Sequence, residues 1–196
     1  MIGYDGLRKA SLQAILSANY IAYSLKDKFK ILYKGENNFV AHECILDFRD
    51  LKLRTGLSVN DIAKRLMDYS FHAPTISWPV PETIMIEPTE SEGLKELDRF
   101  CNAMLSISEE IFEIENNIYP KDNNVIINSP HTLKQLIKGK WDRPYPKEKA
   151  AYPCNSEDGF KFWVSVSRIN NAYGDRNLVC SCSFQDSQSV DEKKCA

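Results

Sequence analysis

The chain has 196 residues, 25 basic and 27 acidic, for a formal net charge of −2. Such balanced, scattered charge argues against a nucleic-acid partner, and no run approaches the roughly 20 apolar residues of a membrane span. The length suits one domain, or one domain plus a tail, and a hydrophobic fraction of 43% can supply its core.

The opening segment GLRKASLQAILSANYIAYSLKDK sets Leu7, Leu12, Ile15, Ala18, Tyr20 and Ala22 in a broad apolar stripe. That period predicts a helix within 1–28, and its stripe needs something to pack on. MIGYDGLRKASLQ has no apolar run after a basic start, so it does not read as a secretory signal. FKILY at 29–33 and FVAHECILDF at 39–48 read as strands joined by a turn at 35–38. Charges at Arg49 and Asp50 end the second run. Ser58 is an N-cap candidate with Asp61 at N3, opening a helix with Val59, Ile62, Ala63, Leu66 and Met67 on one side.

Phe71 to Trp78 and Thr83 to Glu87 read as two further short strands, divided by Pro79-Val80-Pro81. Thr89 or Ser91 is expected to cap a long helix carrying Leu94, Leu97, Cys101, Met104, Ile107, Ile111 and Ile114. Helix, two strands, helix, two strands, helix predicts an α+β domain over 29–116, a mixed or antiparallel sheet covered by helices on one face. A short helix is expected at Ser129, with Pro130 in its first position. Residues 117–182 read as an irregular C-terminal extension and 183–196 as a disordered tail. Six irregularly spaced cysteines point to a reducing interior, and three scattered histidines offer no metal-binding spacing.

Four stretches in order, HECILDFRDL, AKRLMDYSFHAPTISWPVPETIMIEPTESE, WDRPYP and YGDRNLVCSC, carry a family likeness. From about Gly3 to Cys182 the chain closely resembles the C-terminal part of the glycine cleavage P-protein, glycine dehydrogenase (decarboxylating). The resemblance implies the small domain of a pyridoxal-phosphate enzyme of aminotransferase-like fold (fold type I). Residues 1–28 would then be a connector helix from a large domain outside this chain. The family's cofactor lysine lies in an upstream His-Lys segment ahead of a glycine-rich loop, and neither motif occurs here. No catalytic residue and no covalent pyridoxal phosphate are therefore expected on this chain. The implied partners are the P-protein large domain or an N-terminal chain, the lipoyl arm of H-protein, and glycine. The implied location is cytoplasmic in a bacterium and mitochondrial in a eukaryote.

Individual residues admit two readings each. His72, with Thr75 and Trp78, either lines a cleft or belongs to a strand end whose histidine caps its backbone. His42 reads as a structural residue within a strand, and His131 as a surface residue. Where Glu82 stands the family usually has glycine, so a positive φ there would strain this turn. Glu87, Glu90 and Glu92 either pair with arginines of the large domain or favour the helix dipole. Arg143, Tyr145, Tyr173 and Arg176 are interface or lipoyl-approach candidates, against plain surface loops. Cys180 and Cys182 form a C-x-C pair, either a redox site or inert. Function follows the same fork: part of a glycine-decarboxylating enzyme inactive alone, a non-catalytic module binding H-protein or P-protein, or a decayed fragment.

Overall fold

In the computed structural model, residues 2–138, 140–154 and 161–179 are described. A long helix, α1 (Gly3–Leu25), leads into β1 (Lys30–Leu32) and β2 (Cys44–Asp47), followed by α2 (Arg49–Thr55) and α3 (Val59–Asp68). Then come β3 (Thr75–Ile76), β4 (Thr83–Ile86) and a second long helix, α4 (Leu94–Glu115). Among the described residues three short helices follow: α5 (Leu133–Ile137), α6 (Lys147–Ala151) and α7 (Asn171–Arg176).

The strands form one antiparallel sheet in the order β1-β2-β4-β3. Side chains alternate across a strand, so the register puts Ile31, Leu46, Ile84 and Ile76 in one row and Cys44 beside Ile86 on the same face. That face joins Ala18, Ile21 and Leu25 of α1 and Leu97, Met104, Ile107 and Ile114 of α4 in the main core. The expected α+β domain, with an antiparallel sheet packed by helices, is what the chain forms. Leu94, placed on the α4 stripe by its spacing, is instead exposed at the helix start.

The second strand is shorter than its apolar run suggests. The Asn19 side-chain amide bonds both backbone groups of Val40, at 2.9 Å each, and so takes the place of a strand neighbour. Ladder pairing resumes only at Cys44, and His42, read as a strand residue, lies exposed in a bend. Arg49 and Asp50 do not merely end the strand but open α2, which buries Leu51 and Thr55. Gly56 stops that helix at φ 80°, a left-handed conformation that favours glycine.

Two helix starts also shift. α4 begins after Gly93 rather than after Thr89 or Ser91; Thr89 sits at φ 60° and its hydroxyl accepts from the Ser91 amide. Pro130 does not open a helix, because Asp68 takes the backbone N–H of His131 and the hydroxyl of Ser129. The chain turns inward there, and α5 starts only after Thr132, which shares a capping box with Gln135.

α3 begins as its sequence predicts, with Ser58 and Asp61 in a reciprocal capping box. Replacing Ser58 with alanine should cost about 1 kcal/mol, read as a lowered urea midpoint with unchanged slope.

Candidate functional site

Two clefts meet along α4 near its N-terminal end, and the aromatic ring of Phe71 and the side chain of Glu96 belong to both. Phe71 stands edge-on to Phe100 at 5.2 Å between ring centres, and the Arg99 guanidinium lies over the Phe71 ring at 3.7 Å. Arg99 is fixed in turn by both carboxylate oxygens of Glu96 and by the Tyr69 carbonyl. The shared wall is thus a ring clamped by a cation and a second ring.

The smaller cleft, about 450 Å³, has Pro74, Leu97 and Phe100 among its apolar lining and His72, Thr75 and Glu87 among its polar lining. His72 is exposed, and its Nδ1–H donates to the carbonyl of Ala73 at 3.1 Å. The two readings of His72 therefore hold together: it bonds its own backbone and it faces a cleft. Trp78 does not line this cleft; it lies on the outer turn, mostly exposed, with a cis bond to Pro79. Ser70, Ser77, Glu82 and Thr89 all adopt φ between 56° and 65° within this segment. Such left-handed residues cost of order 1 kcal/mol each and persist where surrounding contacts hold them. For Glu82 those contacts are clear, since its carboxylate accepts from the Val59 amide and pairs with Lys52, both at 2.9 Å. The strain expected at Glu82 is real, and its side chain ties the turn to the start of α3.

The larger cleft, about 740 Å³, is lined by Tyr69, Arg99, Asn102, Tyr152, Cys154 and Lys161 among others. Its floor rests on a buried charge network. Arg65, fully buried on α3, donates to both oxygens of Glu110 at 2.9 and 2.5 Å and to Asp68 at 2.9 Å. A further N–H reaches the carbonyl of Lys149 at 2.9 Å. Asp68 also accepts from Ser129, from the His131 amide and from His131 Nδ1, at 2.7 to 2.8 Å. His131 Nε2 meets the Tyr145 hydroxyl at 2.8 Å.

Burial on its own would raise the Asp68 pKa, but the His131 hydrogen bond and the Arg65 charge outweigh it and hold the carboxyl below its usual range. This arrangement corrects two expectations. His131 is buried rather than a surface residue, because both ring nitrogens have partners in the core. Tyr145, proposed as a contact residue, is 2% exposed, so its ring offers no face to a partner. Arg143 is half-buried and donates to Asn128 at 2.5 Å, whereas Tyr173 and Arg176 stand exposed on α7. Cys180 and Cys182 lie outside the described residues.

Arg65, Asp68 and Glu110 form the buried network and Arg99 and Lys161 line the cleft, yet the apolar patterns do not single them out. A usable signal was present. Arg65 falls three residues after Ile62, on the buried side of α3, and Glu110 three after Ile107, on the buried side of α4. Opposite charges on two facing core stripes call for each other as partners.

A family model described as the glycine dehydrogenase C-terminal domain matches residues 10–131. The chain belongs to this family. A glycine dehydrogenase (decarboxylating) of Prochlorococcus marinus (strain NATL1A) is 60% identical over 191 residues, covering 97% of the chain and 20% of that protein. A protein of the same name from Vibrio vulnificus (strain YJ016) is 55% identical over 182 residues, 93% of the chain and 19% of the relative. A Schizosaccharomyces pombe relative, named as mitochondrial, is 55% identical over 183 residues, 93% of the chain and 18% of its own length. The chain is the C-terminal part of glycine dehydrogenase (decarboxylating) and spans about 20% of the length of these relatives. No helix among the described residues is long and apolar enough to cross a membrane.

Glycine dehydrogenases use pyridoxal phosphate, which needs an amine, an anion cradle and an acid opposite its ring nitrogen. The larger cleft offers Lys161 as an amine, but Arg99 is bound to Glu96 and the Tyr69 carbonyl, and Asp98 accepts the Tyr20 hydroxyl. The described residues do not by themselves fit the cofactor.

Removing Arg65 would leave Glu110 and Asp68 as uncompensated buried charges. Arg65→Leu should cost roughly 3–5 kcal/mol in urea unfolding, and adding Glu110→Leu should recover part of that loss. Because its folded pKa is depressed, Asp68 contributes stability that is complete above the usual carboxyl pKa of about 3.9 and fades as pH falls through the lower folded value. Asp68→Asn should flatten the acid limb of a stability-versus-pH curve measured by thermal melting.

Proposed function

We propose that this chain works only in union with a polypeptide supplying the rest of glycine dehydrogenase, including the lysine that holds pyridoxal phosphate. The observation that carries the proposal lies on α1. Ala18 and Leu25 are in the core at 0% exposure, while Leu12 and Leu16, one turn apart on the opposite face of the helix, are 56% and 62% exposed. An apolar helical face of this kind is stable in water when a second body covers it. A large cofactor-binding domain of aminotransferase-like fold is that body.

The reaction proposed for the assembled enzyme is decarboxylation of glycine and transfer of the aminomethyl group to the lipoyl arm of H-protein. Pyridoxal phosphate supplies the electron sink for the first step. On this chain, His72 and Thr75 are assigned to the wall of the substrate cleft, with Trp78 on the outer turn. Arg143, Tyr173 and Arg176 are assigned to contacts with the large domain or to the approach of the lipoyl arm, and Tyr145 supports them from within. The exposed His72 can orient a substrate anion or a proton; the Glu82 brace keeps its turn in place. Sequence identity to bacterial and mitochondrial relatives supports a cytoplasmic setting in a bacterium and a mitochondrial one in a eukaryote.

Co-expression of this chain with the remaining N-terminal part of a relative should restore glycine-dependent exchange of labelled carbon dioxide. The pair Leu12→Asp and Leu16→Asp should lower that exchange at least about tenfold by placing charges on the face to be covered. If H-protein binds this chain while exchange stays absent with every N-terminal partner, the non-catalytic interaction module replaces this reading.

A further inference from the structure

The larger cleft holds two nucleophilic side chains that the proposed decarboxylation does not use, Cys154 and Lys161. Both are half-buried. Lys161 donates a hydrogen bond from Nζ to the Asp68 carbonyl at the end of α3, and the same nitrogen lies 5.0 Å from the centre of the Trp163 ring. The adjoining amide of Phe162 donates to the Ser70 hydroxyl at 3.0 Å, so this stretch is moored beside the cleft at two points. An amine that donates one N–H keeps its lone pair, and the open volume of about 740 Å³ leaves room for an acyl group beside it.

Burial acts on the two nucleophiles in opposite directions. It disfavours the charged form of each, which is the ammonium of lysine and the thiolate of cysteine. The Lys161 amine is accordingly pushed down to about 8, chiefly by desolvation, and the Cys154 thiol is pushed up for the same reason. Burial thus enlarges the free-base share of the amine and shrinks the thiolate share of the thiol.

We propose that Lys161 is an acylation site, whose amine takes the acyl group of a small thioester that enters the cleft beside Phe71 and Tyr152. The nitrogen attacks the thioester carbonyl, an N–C bond forms and the C–S bond breaks. The proton lost by nitrogen ends on the departing sulfur, giving a free thiol, and nothing is oxidised or reduced. The product is an amide without charge, which replaces the ammonium at the C-terminal end of α3, where the helix dipole favours a cation.

The test uses the full chain at pH 7.5 with acetyl-coenzyme A as the thioester, and peptide mass spectrometry to time the acylation of each lysine. Lys161 should acetylate on the order of tenfold faster than the exposed Lys9 and Lys34, since its larger free-base fraction is partly offset by the weaker nucleophilicity of a less basic amine. In parallel, iodoacetamide should alkylate Cys154 in the folded chain far more slowly than in urea. The preference for Lys161 should vanish in urea, where all lysines are equivalent. Acetylation of Lys161 no faster than Lys9 and Lys34, or a preference that survives in urea, overturns the proposal. An alkylation rate for Cys154 that urea leaves unchanged overturns the desolvation of the cleft on which it rests.

Discussion

The placement of Ser129, His131, Tyr145 and Lys149 against the domain depends on Arg65. A guanidinium with no contact to water must have its charge and its donors answered within the protein, and here Glu110, Asp68 and the Lys149 carbonyl answer them. Those partners come from α4, from α3 itself and from α6, so one side chain fixes the relation among three elements. Asp68 passes the constraint on to Ser129 and His131, and His131 to Tyr145. Ser129, His131 and Tyr145 lie in irregular backbone but are fixed in position, because each link in this chain of polar contacts is buried and directional. Such a network adds little net stability over an apolar core, yet it penalises any other placement of the segment heavily.

The apolar patterns made the sheet and the long helices legible in the sequence. Alternation placed Ile31, Leu46 and Ile84 on one face, and 3-or-4 spacing placed Leu97, Met104, Ile107 and Ile114 toward it. The Ser58–Asp61 capping box and the strained Glu82 were legible too, since both depend on local rules of backbone geometry. What local rules could not show was long-range competition for backbone groups. Asn19 removes Val40 from the ladder across 21 positions, and Asp68 pulls His131 inward across 63. The place of His131 beside a proline suggests solvent exposure, while a carboxylate on a distant helix decides the matter.

The site was less legible than the fold. Composition showed that His72 stands among prolines and aromatics, but not that Phe71 next to it is a wall held between Arg99 and Phe100. Family resemblance directed attention to the WDRPYP and YGDRN stretches, and the structure divides them. Tyr145 of the first is in the core, whereas Tyr173 and Arg176 of the second are on the surface. A motif conveys that its residues matter together without saying which of them face inward.

The common wall of the two clefts has a thermodynamic corollary. Any molecule in the larger cleft that tilts the Phe71 ring changes the shape of the smaller one, because no second layer separates them. Whatever factor such an occupant applies to binding at the His72 side, an occupant there must apply in return. Two neighbouring surfaces on α4 are therefore linked through Phe71 and Glu96, and the stiffness with which Arg99 holds both bears on the strength of the link.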